Sequence, residues 1–383
     1  MKNETAVKKE KKVEFIELVY DLIFVYIVGR NNSILHHLEG GVVTREAFIS
    51  YILCTLAVIQ IWSFTTYYIN IYGRNDVRDH IFLFINMYLL YYIADGISVG
   101  WENTFYRFNI AWALILVNIA VQYLIELKNH KSEALEAKQL KLKATIILTE
   151  AALVGVHILV CAKTGVSVAY IPILFGIIAT IVSGRFNSKV PVDFAHLTER
   201  VMLYVVFTFS EMIISIASYF TGETSASGIY FSTMAFIIVV GLFLSYGTLY
   251  NKIIDREKVT NGTGYVMIHV FMIFALNNIS VALEFMRDEE VNVLQKTVLL
   301  ALSFVLYFAF MFMTAKYAKN NCGFSVKFIV ILLSIAASFI ALMLIFREMM
   351  YVNIAITVIY IYGIFIMIYR KGKISESKES LSN

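Results

Sequence analysis

Apolar stretches follow one another along almost the whole chain, from Val13 to Tyr369, with short polar breaks between them. A helix crosses ~30 Å of hydrocarbon with about twenty residues at ~1.5 Å each. The pattern predicts twelve such helices, near residues 13–34, 46–71, 79–99, 105–127, 144–162, 166–184, 196–220, 227–251, 262–286, 292–315, 324–346 and 350–369. The expected fold class is all-α, a polytopic integral membrane protein. Only two prolines occur in 383 residues, which suits long unbroken helices and argues against a β-barrel with its frequent turns.

The polar breaks test this count. With the N-terminus in the cytoplasm and the sides alternating, about 25 of the 32 Lys and Arg fall on the inner side and about 7 on the outer. The inner runs include Lys8, Lys9, Lys11 and Lys12, then Arg74 and Arg78, then Lys128, Lys131, Lys138, Lys141 and Lys143, and finally Arg370, Lys371 and Lys373. Both termini are therefore expected in the cytoplasm, as a basic tail at 1–12 and a second tail at 371–383, and the expected location is the cell membrane. The segment 128–143 mixes Glu and Lys with spaced leucines. It reads equally as an extension of the fifth helix or as a solvated basic linker.

Composition narrows the classes further. The chain is 59% hydrophobic and 16% charged, with mean hydropathy +0.72, whereas soluble domains are nearer a quarter charged. The net charge of +4 is spread over helix ends, so no nucleic-acid partner is expected. The expected partner is the lipid bilayer, with a small ion or solute as candidate cargo. Cys54, Cys161 and Cys322 are far apart and suggest neither a disulfide frame nor a metal site. No zinc motif, P-loop, dinucleotide fingerprint or nucleophile elbow occurs, so no cofactor or metal is expected and an enzyme is the weaker reading. No cleavable signal peptide is evident.

The two halves resemble each other at a shift of 182 residues. Glu17 then falls on Glu199, and Ser63, Thr66 and Tyr68 fall on Ser245, Thr248 and Tyr250. Asp95 falls on Asn277, and Ile97-Ser98-Val99 on Ile279-Ser280-Val281. Six helices per half would make the repeats parallel, related by an axis along the membrane normal. They would span 13–184 and 196–370, joined by a cytoplasmic linker at 185–195. Shared apolar composition is the competing explanation.

Charges inside such helices are costly and need a partner, a proton or a water-filled cavity. Glu14, Glu17 and Asp21 share one face of the first helix. Glu14 fits a solvated helix end, and Asp21 is too deep for that. On the seventh helix His196, Glu199 and Arg200 cluster near the inner surface, either as an ion-paired helix start or as part of a site. Glu211 lies twelve residues beyond Glu199, roughly 18 Å deeper. Further intramembrane polar groups are Asp95, Glu150, His157, His269, Asn277 and Asn278. A lone histidine there is more often a packing residue than a ligand.

The run VEFIELVYDLIFVYIV resembles the first helix of the bacterial low temperature requirement A family, and HLTERVMLYVVFTFSEMIISIA resembles its second signature. The residues that match are Glu17 and Asp21, then His196, Glu199, Arg200 and Glu211. Ser210 stands where the family usually has glycine. The resemblance implies a multi-spanning bacterial membrane protein and supplies no substrate. Two functions stay open. One is a transporter or channel coupled to protons or cations through Glu17, Asp21 and Glu211, since a carboxyl in an apolar site can load and release a proton near neutral pH. The other is a structural, lipid-interacting or scaffold protein whose polar network fixes helix packing.

Overall fold

The computed structural model describes residues 11–97, 104–130, 132, 134–186, 192–217, 225–320 and 322–382. Lys8, Lys9, Ser98, Val99 and Lys131 lie outside the described residues. Twelve α-helices occur among them: α1 (Phe15–Asn32), α2 (Arg45–Tyr72), α3 (Val77–Gly96), α4 (Phe105–Asn129), α5 (Ala134–Thr164), α6 (Tyr170–Phe186), α7 (Phe194–Ala217), α8 (Ala226–Thr248), α9 (Thr263–Phe285), α10 (Val293–Met313), α11 (Val326–Ile345) and α12 (Met350–Ser382).

Side-chain caps set where several of them begin. Thr44, Asp76, Ser225, Asn292 and Ser325 each accept a backbone N–H from the first turn of the following helix, satisfying donors that the helix itself leaves free. The helix α5 starts at Ala134, inside the segment read as either extension or linker. Helix α12 continues to Ser382, well past the predicted end at 369. The short chain between α1 and α2 forms a hairpin, Leu38–Glu39 against Val42–Val43. Its turn uses Gly40 and Gly41 at φ +57° and +77°, a region that side chains other than glycine rarely adopt. The Asn292 N–H bonds the Gly41 carbonyl at 2.7 Å and ties the hairpin to the start of α10.

Nine of the twelve helices are long and apolar enough to cross a membrane. The three that fall short are α1, α3 and α6. Helix α1 holds Glu17, Asp21 and Arg30 within its 18 residues. Helix α3 opens on Arg78, Asp79 and His80. The apolar part of α6, Tyr170–Gly184, is too short. Composition and length thus give nine spans where loop-charge alternation predicts twelve.

Packing is centred on α2 and α9, whose apolar stretches are 72% and 83% buried, whereas that of α11 is 11% buried. Apolar side chains such as Val330, Leu333 and Ile345 on α11 therefore face outward, as lipid contact requires. Helix α1 packs on α2, α3 and α7, and α7 packs on α8 and α9. The pairs α3–α4, α4–α5, α5–α6 and α2–α6 are matched by α9–α10, α10–α11, α11–α12 and α8–α12. Helices α1 and α7 run parallel. Lys11 N–H reaches Asp193 at one end, and at the other the Glu211 carboxylate lies against Gly29, where a Cβ would sit 2.6 Å from its Oε1.

Candidate functional site

Four of the residues singled out by their position inside the helices meet in one place. Asp21 and Arg200 are wholly buried, and Glu17 is 2% exposed. Arg200 grips Asp21 with two nitrogens, Nη2 to Oδ1 at 2.5 Å and Nε to Oδ2 at 3.3 Å. Its Nη1 lies 3.2 Å from Glu17 Oε2, which also faces His196 Nε2 at 3.3 Å. A planar guanidinium suits this double pairing in a way an ammonium does not. The Trp62 indole N–H donates to Asp21 Oδ1 at 2.8 Å, and the Arg200 guanidinium lies 5.9 Å from the Trp62 ring centroid.

The state of His196 follows from its neighbours. The Asp193 N–H donates to Asn70 Oδ1 at 3.0 Å, which fixes the orientation of the Asn70 amide. The Asn70 Nδ2 end then donates to the Asp193 carbonyl at 2.8 Å and to His196 Nδ1 at 3.0 Å. An Nδ1 that accepts carries no proton. His196 is therefore the neutral Nε2–H tautomer, and that N–H faces Glu17. Asp193 also caps α7, its Oδ1 accepting from the His196 N–H at 3.1 Å. The Lys11 ammonium bonds the carbonyls of Ile69 and Gly73 at the end of α2. Burial holds its pKa below the ordinary lysine value, against the pull of Glu17 and Asp79.

A vestibule of about 790 Å³ opens at this end of the bundle. Glu17, Asn70, Lys11 and Asp193 are part of its wall, and Asp21 and Arg200 are not. The site is thus divided: Glu17 borders the vestibule, and Asp21 is sealed behind it by Arg200 and Trp62.

Glu211 belongs to a second polar group at the opposite end. It is half-buried against Gly29. Near it, Glu284 on α9 accepts from Ser215 Oγ and pairs with His36 Nε2 at 2.9 Å. The hydrogen bond to Glu284 raises the His36 pKa above its ordinary value, with burial opposing.

The remaining expectations land elsewhere. Glu199 is half-buried and takes no part in the ion cluster that its helix neighbours His196 and Arg200 form. Asp95 is an exposed residue near the end of α3, which stops at Gly96, and it pairs with Arg107 at 2.7 Å, apart from both polar groups. Glu150 is wholly buried and accepts from Gln60 Nε2 at 2.9 Å. His269 donates from Nδ1 to the Tyr265 carbonyl at 2.9 Å and accepts from the Tyr246 hydroxyl at 3.2 Å, so both ring nitrogens are used in packing. Asn277 and Asn278 are buried on α9, and Asn278 bonds back to the Phe274 carbonyl. His157 lies apart from both charged groups, with Nδ1 accepting from the Val168 N–H. Sequence reasoning missed Trp62, Asn70, Asp193, Lys11 and Glu284. Of these only Glu284 left a signal, as an acid within an apolar run.

Helices long and apolar enough to span a bilayer, packed around a buried ion cluster, define a polytopic helical membrane protein. The chain belongs to the bacterial low temperature requirement A (LtrA) family, whose model matches residues 12–361, nearly its whole length. No curated protein matches the chain.

Proposed function

We propose that this protein is a proton- or cation-coupled transporter or channel of the cell membrane. Its working group is Glu17 with His196. The observation that carries this reading is the charge of the cluster. Glu17 and Asp21 are buried with one cation, Arg200, while Lys11 and Asp193 on the vestibule wall offset each other and His196 Nδ1 accepts from Asn70. The buried group is one positive charge short. A proton or small cation arriving through the vestibule at Glu17 makes up the difference. Asp21 serves as the clamp that holds Arg200 in place, and Glu211 with Glu284 forms the exit at the other end.

In this reading the chain is two parallel six-helix repeats, 13–184 and 196–370, with twelve crossings and both termini cytoplasmic. The matching helix pairs in the two halves support it. So do the contacts between positions 182 apart, 11 with 193 and 29 with 211, which is where an axis between α1 and α7 brings equivalent residues together. The alternative is a non-transporting structural, lipid-interacting or scaffold protein, favoured by the sealing of Asp21.

Purified protein in liposomes with an imposed proton or alkali-cation gradient separates the two. The transport reading expects dissipation faster than in protein-free liposomes, and Glu17→Gln lowers it by about tenfold or more, the scale of losing one buried charged interaction. Wild-type flux equal to that of empty liposomes, or a Glu17→Gln variant as fast as wild type, leaves the scaffold reading.

A further inference from the structure

A cavity of about 390 Å³ lies between α2, α4, α5 and α6, away from the ion cluster and at the opposite end of the bundle from the vestibule. Its volume is in the range of small-molecule sites. The wall is largely apolar, with Leu53, Phe108, Trp112 and Ile173 among its residues. Its polar lining includes Arg45, Glu46, Ser50, Ser167 and the Trp112 indole N–H, unpartnered among the described residues, together with two nearly wholly buried side chains, His157 and Asn109, 1% and 2% exposed.

Each of these last two is half committed. The Val168 N–H donates to His157 Nδ1 at 3.2 Å, so the ring carries its proton on Nε2. Asn109 Nδ2 donates to the Phe105 carbonyl at 2.9 Å, which leaves Oδ1 as an acceptor. Among the described residues, His157 Nε2–H and Asn109 Oδ1 have no protein partner. Both groups stand beside Phe105, whose ring meets the His157 ring edge-on at 5.3 Å. A donor or acceptor facing an apolar cavity without a partner is unfavourable, so an occupant that satisfies both is favoured.

We propose that this cavity binds an uncharged apolar molecule bearing a hydroxyl group. The hydroxyl donates to Asn109 Oδ1, and its oxygen accepts from His157 Nε2–H. The apolar body fills the space among Leu53, Phe108, Trp112 and Ile173. A single hydroxyl meets both requirements, whereas a carbonyl meets only one. An uncharged occupant fits because the charged wall residues, Arg45 and Glu46, are opposite in sign and exposed at the start of α2. The hydroxyl can come from a free apolar alcohol or from a diacylglycerol-type lipid of the bilayer.

Photolabelling of the purified full chain tests this with three diazirine probes: an octanol, the matching octane without the hydroxyl, and a diacylglycerol. Adducts are mapped by mass spectrometry. The octanol should label the cavity wall saturably and about tenfold more strongly than octane, the factor for one well-made hydrogen bond. Asn109→Leu and His157→Phe should each bring octanol labelling down to the octane level. Stronger labelling of the same residues by diacylglycerol assigns the site to a bilayer lipid, and octanol labelling alone assigns it to a free alcohol. Equal labelling by octanol and octane in the wild-type chain overturns the proposal, whatever the folding of the variants. So does octanol labelling confined to outward-facing side chains.

Discussion

Arg200 shows how a single buried charge organises its surroundings. Removing one partner of a buried pair leaves the other uncompensated, which costs about 3–5 kcal/mol. Arg200→Met should therefore destabilise the protein by about that amount, measured by thermal unfolding in detergent. Adding Asp21→Leu should recover part of the loss, because Asp21 is then no longer an unpaired charge while Glu17 still lacks its cation. A single variant as stable as wild type would mean that Asp21 finds another partner. Four members of the cluster were legible in the sequence because charges inside apolar helices are rare and costly: Glu17, Asp21, His196 and Arg200. Trp62 and Asn70 were not. A tryptophan in an apolar helix carries no positional signal, and an asparagine near a helix end is ordinary. Only the fold shows that Asn70 bridges Asp193 and His196. Asp95 was equally visible as a charge, but its place at the end of α3 opposite Arg107 depends on where the helix stops.

At the scale of helices, most boundaries fall within a few residues of the apolar windows, since a window and a helix end for the same reason: a cap, a glycine or a run of charge. The exceptions are α5 and α12, which continue as helices beyond their apolar parts. Polar residues can extend a helix into water once it is nucleated, and hydropathy cannot see that. What brings helices together is less legible. Helix α6 approaches α2 and α5 at Gly176, where a Cβ would fall 1.7 Å from Gln60 Nε2 and 2.1 Å from Glu150 Oε2. Gly176→Val should destabilise the protein by about 1–3 kcal/mol, the usual cost of overpacking. Combining it with Glu150→Ala should restore part of that stability by vacating the space. Unfolding midpoints in detergent measure both, and an unchanged midpoint for Gly176→Val would show that α6 can withdraw freely.

For the whole molecule, the sidedness proposed from loop charge can be read with two introduced thiols. Val259, 88% exposed, lies between α8 and α9 at the vestibule end, and Val42, 45% exposed, lies in the hairpin at the other. Cys54 and Cys322 are buried, so only Cys161 needs replacing. With cytoplasmic termini, a membrane-impermeant maleimide should label Val42→Cys in intact cells and Val259→Cys only after permeabilisation. The reverse pattern would invert the topology.

The contacts along α1 and α7 bear on how such a chain arose. If the halves descend from one six-helix ancestor that paired with its own copy, positions on the axis first met themselves. The present pair Gly29 and Glu211 would then have been glycine against glycine, leaving a gap, or glutamate against glutamate, setting two like charges together. Neither arrangement gives a carboxylate a hollow to rest in. Position 11 with 193 would have faced the same restriction, since a lysine opposite a lysine offers the backbone no anion to bond. On that history, separate copies of the sequence would lift it, because each half becomes free to change alone. A backbone N–H opposite a carboxylate at one end, and a hollow opposite a carboxylate at the other, would then be differences that an identical pair could not hold.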